Sequence, residues 1–115
     1  MSGETLKLTP SESLTVREST PEVLEVEALY APHGEPPPAH FHPAHDELFE
    51  VLEGSVRARV DGEERVLRQG DTLTIARGAV HQMWNPGTAP ARVSWKSLPR
   101  GRTHEWFAAI DSLQR

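Results

Sequence analysis

The chain has 115 residues, a length that predicts one domain with one hydrophobic core. Its 12 basic and 17 acidic residues are mixed along the whole length and give a net charge of -5, so no basic face for nucleic acid is predicted. No apolar run approaches the roughly 18 residues of a membrane span, and the start does not resemble a signal peptide. We therefore expect a soluble, cytoplasmic protein without nucleic-acid or membrane partners. Because the chain has no cysteine, any metal must be held by nitrogen and oxygen ligands.

Residues 1–21 are polar and rich in Ser, Thr and Glu. Isolated apolar positions interrupt this composition at Leu6, Leu8, Leu14 and Val16. The pattern is typical of a loose N-terminal arm or a short edge strand. We favour an arm that pairs with something, and its apolar positions could add an edge strand to a partner chain and so cover a sheet edge.

Short strands are predicted throughout residues 22–98. The first has the period of a half-buried strand, with Leu24, Val26, Ala28 and Tyr30 on one face. Further apolar segments follow at residues 48–52, 55–60, 65–67, 72–76, 80–84 and 91–97. Glycine-containing turns separate them, and the aspartate-glycine pair at residues 61–62 is a strong hairpin signal. Many short strands joined by such turns are typical of an all-β barrel or sandwich.

A short helix is predicted at the C-terminus, over residues 103–114. Thr103 is a plausible N-cap, and apolar residues follow at helical spacing at Trp106, Phe107, Ile110 and Leu113. This apolar face would cover one opening or flank of the barrel. Arg100 and Arg102 are unfavourable to the dipole at the helix start.

Four side chains form the candidate metal site: His40, His42, Glu47 and His81. The triple proline at residues 36–38 predicts an extended lead-in, and on an extended strand His40 and His42 leave from the same face. Glu47 is an odd number of residues further on, but residues 43–46 predict a turn that resets the register. In a barrel the inward residues of non-adjacent strands converge, so His81 from a later hairpin can join them. These ligands suit one divalent ion, which could be iron, manganese, nickel, cobalt or zinc.

Two segments resemble the two sequence motifs of the cupin superfamily. The first is matched by Gly34, His40, His42, Glu47 and Gly54, and the second by Gly70, Gly78, His81 and Asn85. Ala76 replaces the proline usual in the second motif, which affects turn stiffness rather than the metal site. The short stretch between Gly54 and Gly70 is typical of small single-domain bacterial members. The resemblance implies a double-stranded β-helix, or jelly-roll barrel, with one divalent metal on three histidines and one glutamate, and frequently a homodimer.

The resemblance leaves the reaction open, because this fold carries many activities. Our first hypothesis is a metal-dependent enzyme, such as a dioxygenase or an isomerase or lyase. It would act on a small organic acid or aromatic by oxygenase-type or Lewis-acid chemistry. The alternative is a non-enzymatic module that binds a small molecule or a metal, such as a sensor, and a closed tetrahedral zinc site would be structural only. The sequence does not place a catalytic acid or base.

Residues near the candidate site have alternative roles. Five are expected to be core first and possible pocket lining second: Tyr30, Phe49, Met83, Val93 and Trp95. Asn85 is expected to fix the turn next to the metal strand. His45 lies in a predicted turn and is expected to be exposed, and His33 and His104 are expected to be solvated.

Overall fold

Alternating apolar and polar residues build nine strands in the part of the chain that the computed structural model describes, residues 3–114. The elements are β1 (Thr5–Thr9), β2 (Glu12–Ser19), β3 (Leu24–Tyr30), β4 (Asp46–Glu53), β5 (Ser55–Val60), β6 (Glu63–Arg68), β7 (Thr72–Ile75), β8 (His81–Trp84), β9 (Ala91–Leu98) and α1 (Thr103–Gln114). One antiparallel sheet has the order β1-β2-β3-β9-β4-β7, and the other has the order β6-β5-β8. The predicted all-β class is confirmed.

The core lies between the two sheets and is built by the inward residues of each strand. In β3 the burial alternates as the sequence predicts, and Leu24, Val26 and Ala28 are at most 2% exposed. Strand β9 joins β3 to β4 and places Val93 opposite both Ala28 and Val51. Val56 and Ala58 of β5 complete the core from the opposite sheet.

The N-terminal region predicted as an arm or edge strand forms the hairpin of β1 and β2. Met1 and Ser2, where that region begins, lie outside the described residues. The apolar positions Leu6, Leu14 and Val16 are all buried in the core. Strand β2 pairs with β3, so the hairpin extends the larger sheet of the same chain.

The predicted C-terminal helix is present as α1 and packs against β1. Phe107 is buried, and the Lys7 amide donates a hydrogen bond of 2.8 Å to Asp111 Oδ1. His104 is not fully solvated, because its ring contacts Ser19 Oγ at 2.9 Å and Glu4 Oε1 at 2.7 Å. Among the described residues, no helix is long and apolar enough to cross a membrane.

Candidate metal centre

Backbone hydrogen bonds bring the histidine segment to the second motif. The His40 amide donates to the His81 carbonyl at 3.2 Å, and the His81 amide donates to the His40 carbonyl at 2.8 Å. The Gly78 amide adds a bond of 2.8 Å to the His42 carbonyl. The predicted regular strand through His40 and His42 is wrong, since one isolated bridge to His81 is all the strand pairing this segment makes among the described residues. The three preceding prolines have no N–H groups to form a ladder.

Glu47 reaches the interior from β4. Strand β4 starts at Asp46, after the short turn that the sequence predicts, and Glu47, Phe49 and Val51 are buried on its inward face. Asp46 points outward, where its carboxylate accepts hydrogen bonds from the Arg77 backbone at 2.9 Å and from the guanidinium Nε at 3.1 Å. This pair fixes the start of β4 beside the turn that precedes His81.

Asn85 holds the end of the second motif against the start of the first. Its side chain accepts a bond from the Gly87 amide at 3.0 Å and donates to the Ala89 carbonyl at 2.8 Å. Its own carbonyl accepts from the Gly34 amide at 2.7 Å, and a Cβ at Gly34 would meet that oxygen at 3.2 Å. The turn-fixing role expected for Asn85 is therefore present in the structure.

The four candidate ligands meet in one cluster. Glu47 Oε1 lies 2.9 Å from His81 Nε2 and 3.5 Å from His42 Nε2. The His40 ring is 4.4 Å from the His81 ring and 5.0 Å from the His42 ring, measured between centroids. Two overlapping groups could hold a metal ion, one formed by His40, His42 and His81 and the other by His42, His45 and Glu47, with ligand atoms within 4.8 Å of one another.

The donor atoms fit a cation. The Nδ1 atoms of His40 and His81 contact the carbonyls of Pro38 and Ala79 at 3.1 and 3.0 Å, and a neutral ring that donates there has its Nε2 lone pair free for a metal. His81 Nε2 and Glu47 Oε1 would then be two acceptors in close contact. His42 Nε2 and Glu47 Oε1 are also buried without a hydrogen-bond partner. Such groups are costly when unsatisfied, and a divalent cation among them would satisfy them.

The protonation of the cluster follows from burial and mutual contact. Burial lowers the pKa of His42 to about 4, more than the Glu47 charge raises it, so the ring is a neutral ligand at pH 7. Burial alone would raise the pKa of Glu47, but His81, His42 and the Trp95 indole together lower it. Burial alone would lower the pKa of His81, but Glu47 and the Ala79 carbonyl together raise it.

His45 is buried, so the prediction that it is exposed is wrong. Its ring stacks on His42 with centroids 4.3 Å apart, and its side chain lies in the interior beside Glu47. Its Nε2 is 4.0 Å from Glu47 Oε2 and has no hydrogen-bond partner. The reason is that the short turn before β4 folds inward while Asp46 takes the outward position. His45 thus adds another nitrogen to the cluster.

A cavity of about 380 Å³ opens beside the cluster. Four of the five candidate pocket residues line it, namely Tyr30, Phe49, Met83 and Trp95, whereas Val93 is fully buried in the core and is not part of the lining. The Trp95 indole N–H donates to Glu47 Oε2 and so links the wall to the cluster. Helix α1 closes one side with Trp106, Phe107 and Ile110, as its apolar face predicts.

Sequence reasoning did not identify Glu12 as part of this site, although it lines the same cavity. Glu12 lies within the polar N-terminal region, and nothing in its local sequence distinguishes it from neighbouring glutamates. The signal is its register opposite Tyr30, which depends on the pairing of β2 with β3.

Comparison with known proteins agrees with this architecture. Residues 26–96 match the family model described as a cupin domain. The tetracenomycin polyketide synthase protein TcmJ of Streptomyces glaucescens is 39% identical over 66 residues, which are 57% of this chain but only 44% of TcmJ. The chain thus spans less than half the length of that relative.

Solved structures resemble the whole fold. KdgF from Halomonas sp. has a TM-score of 0.78 at 21% identity, covering 88% of this chain and 92% of KdgF. An oxalate oxidase has a TM-score of 0.68 at 26% identity, covering 80% of this chain and 53% of the oxidase. These likenesses, with the family model, confirm the predicted double-stranded β-helix.

Proposed function

Because the chain belongs to the cupin family, we propose that His40, His42, Glu47 and His81 hold one divalent cation and that the protein is a metal-dependent enzyme acting on a small organic acid or aromatic. The observation that supports this most directly is the pair of buried, unpartnered donor atoms, His42 Nε2 and Glu47 Oε1, within one cluster. When bound, the cation supplies a Lewis acid and, if it is iron or manganese, a centre for reaction with dioxygen.

The residues of the cluster favour an anionic ligand oxygen. Three neutral imidazoles and one carboxylate leave residual positive charge around a divalent cation. The Trp95 indole and the stacked His45 ring hold Glu47 and His42 in place, so the donor set is preorganised. Apolar walls exclude water from the rest of the ligand and strengthen this charge interaction.

The cavity and the relatives support the ligand class. A space of about 380 Å³ walled by Phe49, Met83 and Trp95 suits a small, mostly apolar molecule with one polar end. Similarity to a protein named for polyketide synthesis supports a phenolic or enolisable ligand. Similarity to an oxalate oxidase supports oxidative chemistry at an organic acid. Among the reactions considered, we therefore favour oxygenase-type chemistry.

We further propose that the protein is a cytoplasmic homodimer. Strand β7 is an edge of the larger sheet, and an edge strand can pair with a second copy of the chain. Light scattering coupled to size-exclusion chromatography measures the mass directly, and the mass of a single 12.8 kDa chain at all concentrations would contradict a dimer.

The function is tested by reloading the metal-free protein with iron(II), manganese(II), nickel(II) or zinc(II) singly. Oxygen uptake is followed with a panel of phenols, diketones and hydroxy acids. We expect uptake with iron or manganese, and with at least one of these compounds. Tight ligand binding without turnover would instead favour the non-enzymatic binding module.

The ligand assignment is tested with His42→Ala and His81→Ala. We expect both variants to lose stoichiometric metal, measured by elemental analysis of the purified protein. His33→Asn is the matched control, because His33 lies outside the cluster and its positive φ of 62° is tolerated by asparagine. Full retention of metal by either alanine variant would show that the assigned ligands are not the ones used.

A further inference from the structure

A carboxyl group outside the candidate ligands also faces the cavity. Glu12 opens β2 and lies directly opposite Tyr30 of β3 in the antiparallel register, so both side chains are on one face of the sheet. Both residues line the same space as His40, His42 and His81. The two side chains therefore lie beside each other at the cavity, where the Tyr30 hydroxyl favours the ionised form of the Glu12 carboxyl and lowers its pKa.

The surroundings of Glu12 make it a proton acceptor and donor. Among the described residues that line the cavity it is the one carboxyl group, none is Lys or Arg, and the other titratable groups are Tyr30 and the histidines His40, His42 and His81. Glu12 is half-buried and also borders neighbouring clefts, which are lined by Lys7, His33 and Glu35. Burial raises the pKa of Glu12 to about 7, although the Tyr30 hydroxyl acts in the opposite direction. Burial, followed by Glu12 itself, raises the pKa of Tyr30 far above its usual value, so this hydroxyl remains a neutral donor.

We propose that Glu12, which lies beside Tyr30, accepts the proton of an enolic or phenolic O–H group of a small ligand in the cavity and returns it on release. This inference rests on the proposed function, because the ligand oxygen lies at the histidine cluster. The ligand O–H bond breaks, its electron pair stays on the ligand oxygen, and a new O–H bond forms on Glu12. The transfer needs no oxidant, reductant or third reactant, and the total charge in the cavity does not change.

The transfer is favourable because it moves negative charge from the half-buried Glu12 carboxylate to a ligand oxygen beside the histidine cluster. A carboxylate in apolar surroundings is costly, whereas the neutral acid costs much less. The ligand oxyanion then faces the imidazoles and residual positive charge of the cluster. The ligand class is therefore a small molecule with one ionisable hydroxyl and an otherwise apolar body.

The test counts protons as a ligand binds to the zinc-loaded protein. Maltol is the probe, because it is small, has one enolic O–H group and changes its ultraviolet absorption when that group ionises. Calorimetric titrations at about pH 8, where Glu12 is ionised, in buffers of different ionisation enthalpy give the protons released for each maltol bound. We expect almost none from the wild-type protein and about one from Glu12→Gln. Glu18→Gln, an exposed position on the same strand, is the matched control and should behave as wild type.

A second measurement needs neither metal nor ligand. Carbon-13 NMR of metal-free protein labelled at the glutamate carboxyl groups follows each titration separately. We expect one resonance to titrate near pH 7 and to be absent from Glu12→Gln. In Tyr30→Phe the same titration should move to higher pH, because the hydroxyl that stabilises the carboxylate is gone.

The outcomes separate the two proposals. Equal proton release by the wild-type protein and Glu12→Gln would overturn the role of Glu12 and leave the proposed cation site intact. A Glu12 that titrates at its ordinary acidic pH in the metal-free protein would overturn that role as well. If the wild-type protein binds neither zinc nor maltol, the proposed function fails and this inference fails with it.

Discussion

The carboxyl groups of Glu47 and Glu12 have pKa values shifted in opposite directions, because their neighbours differ. Glu47 is almost fully buried, yet His81, His42 and the Trp95 indole favour its ionised form. For Glu12, burial favours the protonated form and raises the pKa, and this outweighs the opposite effect of the Tyr30 hydroxyl. Two titratable groups with pKa values moved apart within one site are a frequent sign of separate chemical roles.

Replacing Glu12 by glutamine should change how stability depends on pH in the metal-free protein. Because the folded-state pKa of about 7 lies above the ordinary value of 4.5, the contribution of Glu12 to stability is fully present below about pH 4.5 and is lost as pH rises through 7. Because Glu12 is half-buried, we expect Glu12→Gln to be more stable than wild type at pH 8 by about 1–3 kcal/mol, and to lose most of this advantage at pH 5. Urea unfolding at both pH values measures the difference.

The control for this experiment is Glu18→Gln, which replaces an exposed carboxyl on the same strand. Its stability relative to wild type should be the same at both pH values. A Glu12→Gln variant with the same pH dependence as wild type would show that the carboxyl is not desolvated in the folded state.

At the residue scale, sequence spacing could predict the ligand cluster but not all of its surroundings. His40, His42, Glu47 and His81 come together as predicted, because the two-residue spacing and the turn before Glu47 are local features and backbone pairing brings His81 to His40. The burial of His45 could not be predicted, since turn residues are usually exposed and its position depends on the outward direction of Asp46. Glu12 could not be found either, because its partner Tyr30 is fixed only by strand register.

At the scale of elements, glycine turns set where each strand ends, and they differ in the space available to a side chain. Gly54 lies between β4 and β5 with a φ of 79°, and a Cβ there would meet the Pro90 carbonyl oxygen at 2.7 Å. Gly62 has a similar φ of 86°, but an added Cβ would meet nothing within 4 Å. Substituting alanine at Gly62 therefore introduces backbone strain alone, whereas alanine at Gly54 introduces the same strain together with a steric collision.

We expect Gly62→Ala to lower the free energy of unfolding by about 1 kcal/mol, through its left-handed backbone alone. Gly54→Ala should lower it clearly more, because the neighbouring backbone must also move. Chemical denaturation of both variants measures these losses. Equal losses would mean that the collision at Gly54 is relieved without cost.

The strands that the sequence predicts are those with regular alternation, such as β3, β5 and β9. The sequence leaves open whether residues 1–21 form an arm or an edge strand, because the apolar residues of β1 and β2 are widely spaced among Ser, Thr and Glu. The stability of the β1–β2 hairpin comes from pairing with β3 and packing against α1, which are contacts between distant parts of the chain. The histidine segment was predicted as a strand because side-chain spacing does not reveal the missing hydrogen-bond partners.

For the whole molecule, removal of the cation should lower stability. A ligand that binds the folded state alone stabilises it by about 2.7 kcal/mol at a free concentration one hundred times its Kd. We therefore expect chelation of a zinc-loaded sample to lower the melting temperature, and added zinc to restore it. His81→Ala should show little of this response, whereas His33→Asn should show all of it. An equal response in His81→Ala would place the stabilising cation elsewhere.

The reciprocal backbone bonds between His40 and His81 involve no side-chain atom. Substitution at either position therefore leaves intact the main-chain contact that brings the two motifs together. The side chains that would coordinate the metal are thus independent of the backbone contact that joins the two motifs, so a ligand can change while the contact is retained. A coordinating side chain can therefore be exchanged, and the metal preference of the site altered, while the main-chain contact between the two motifs is kept.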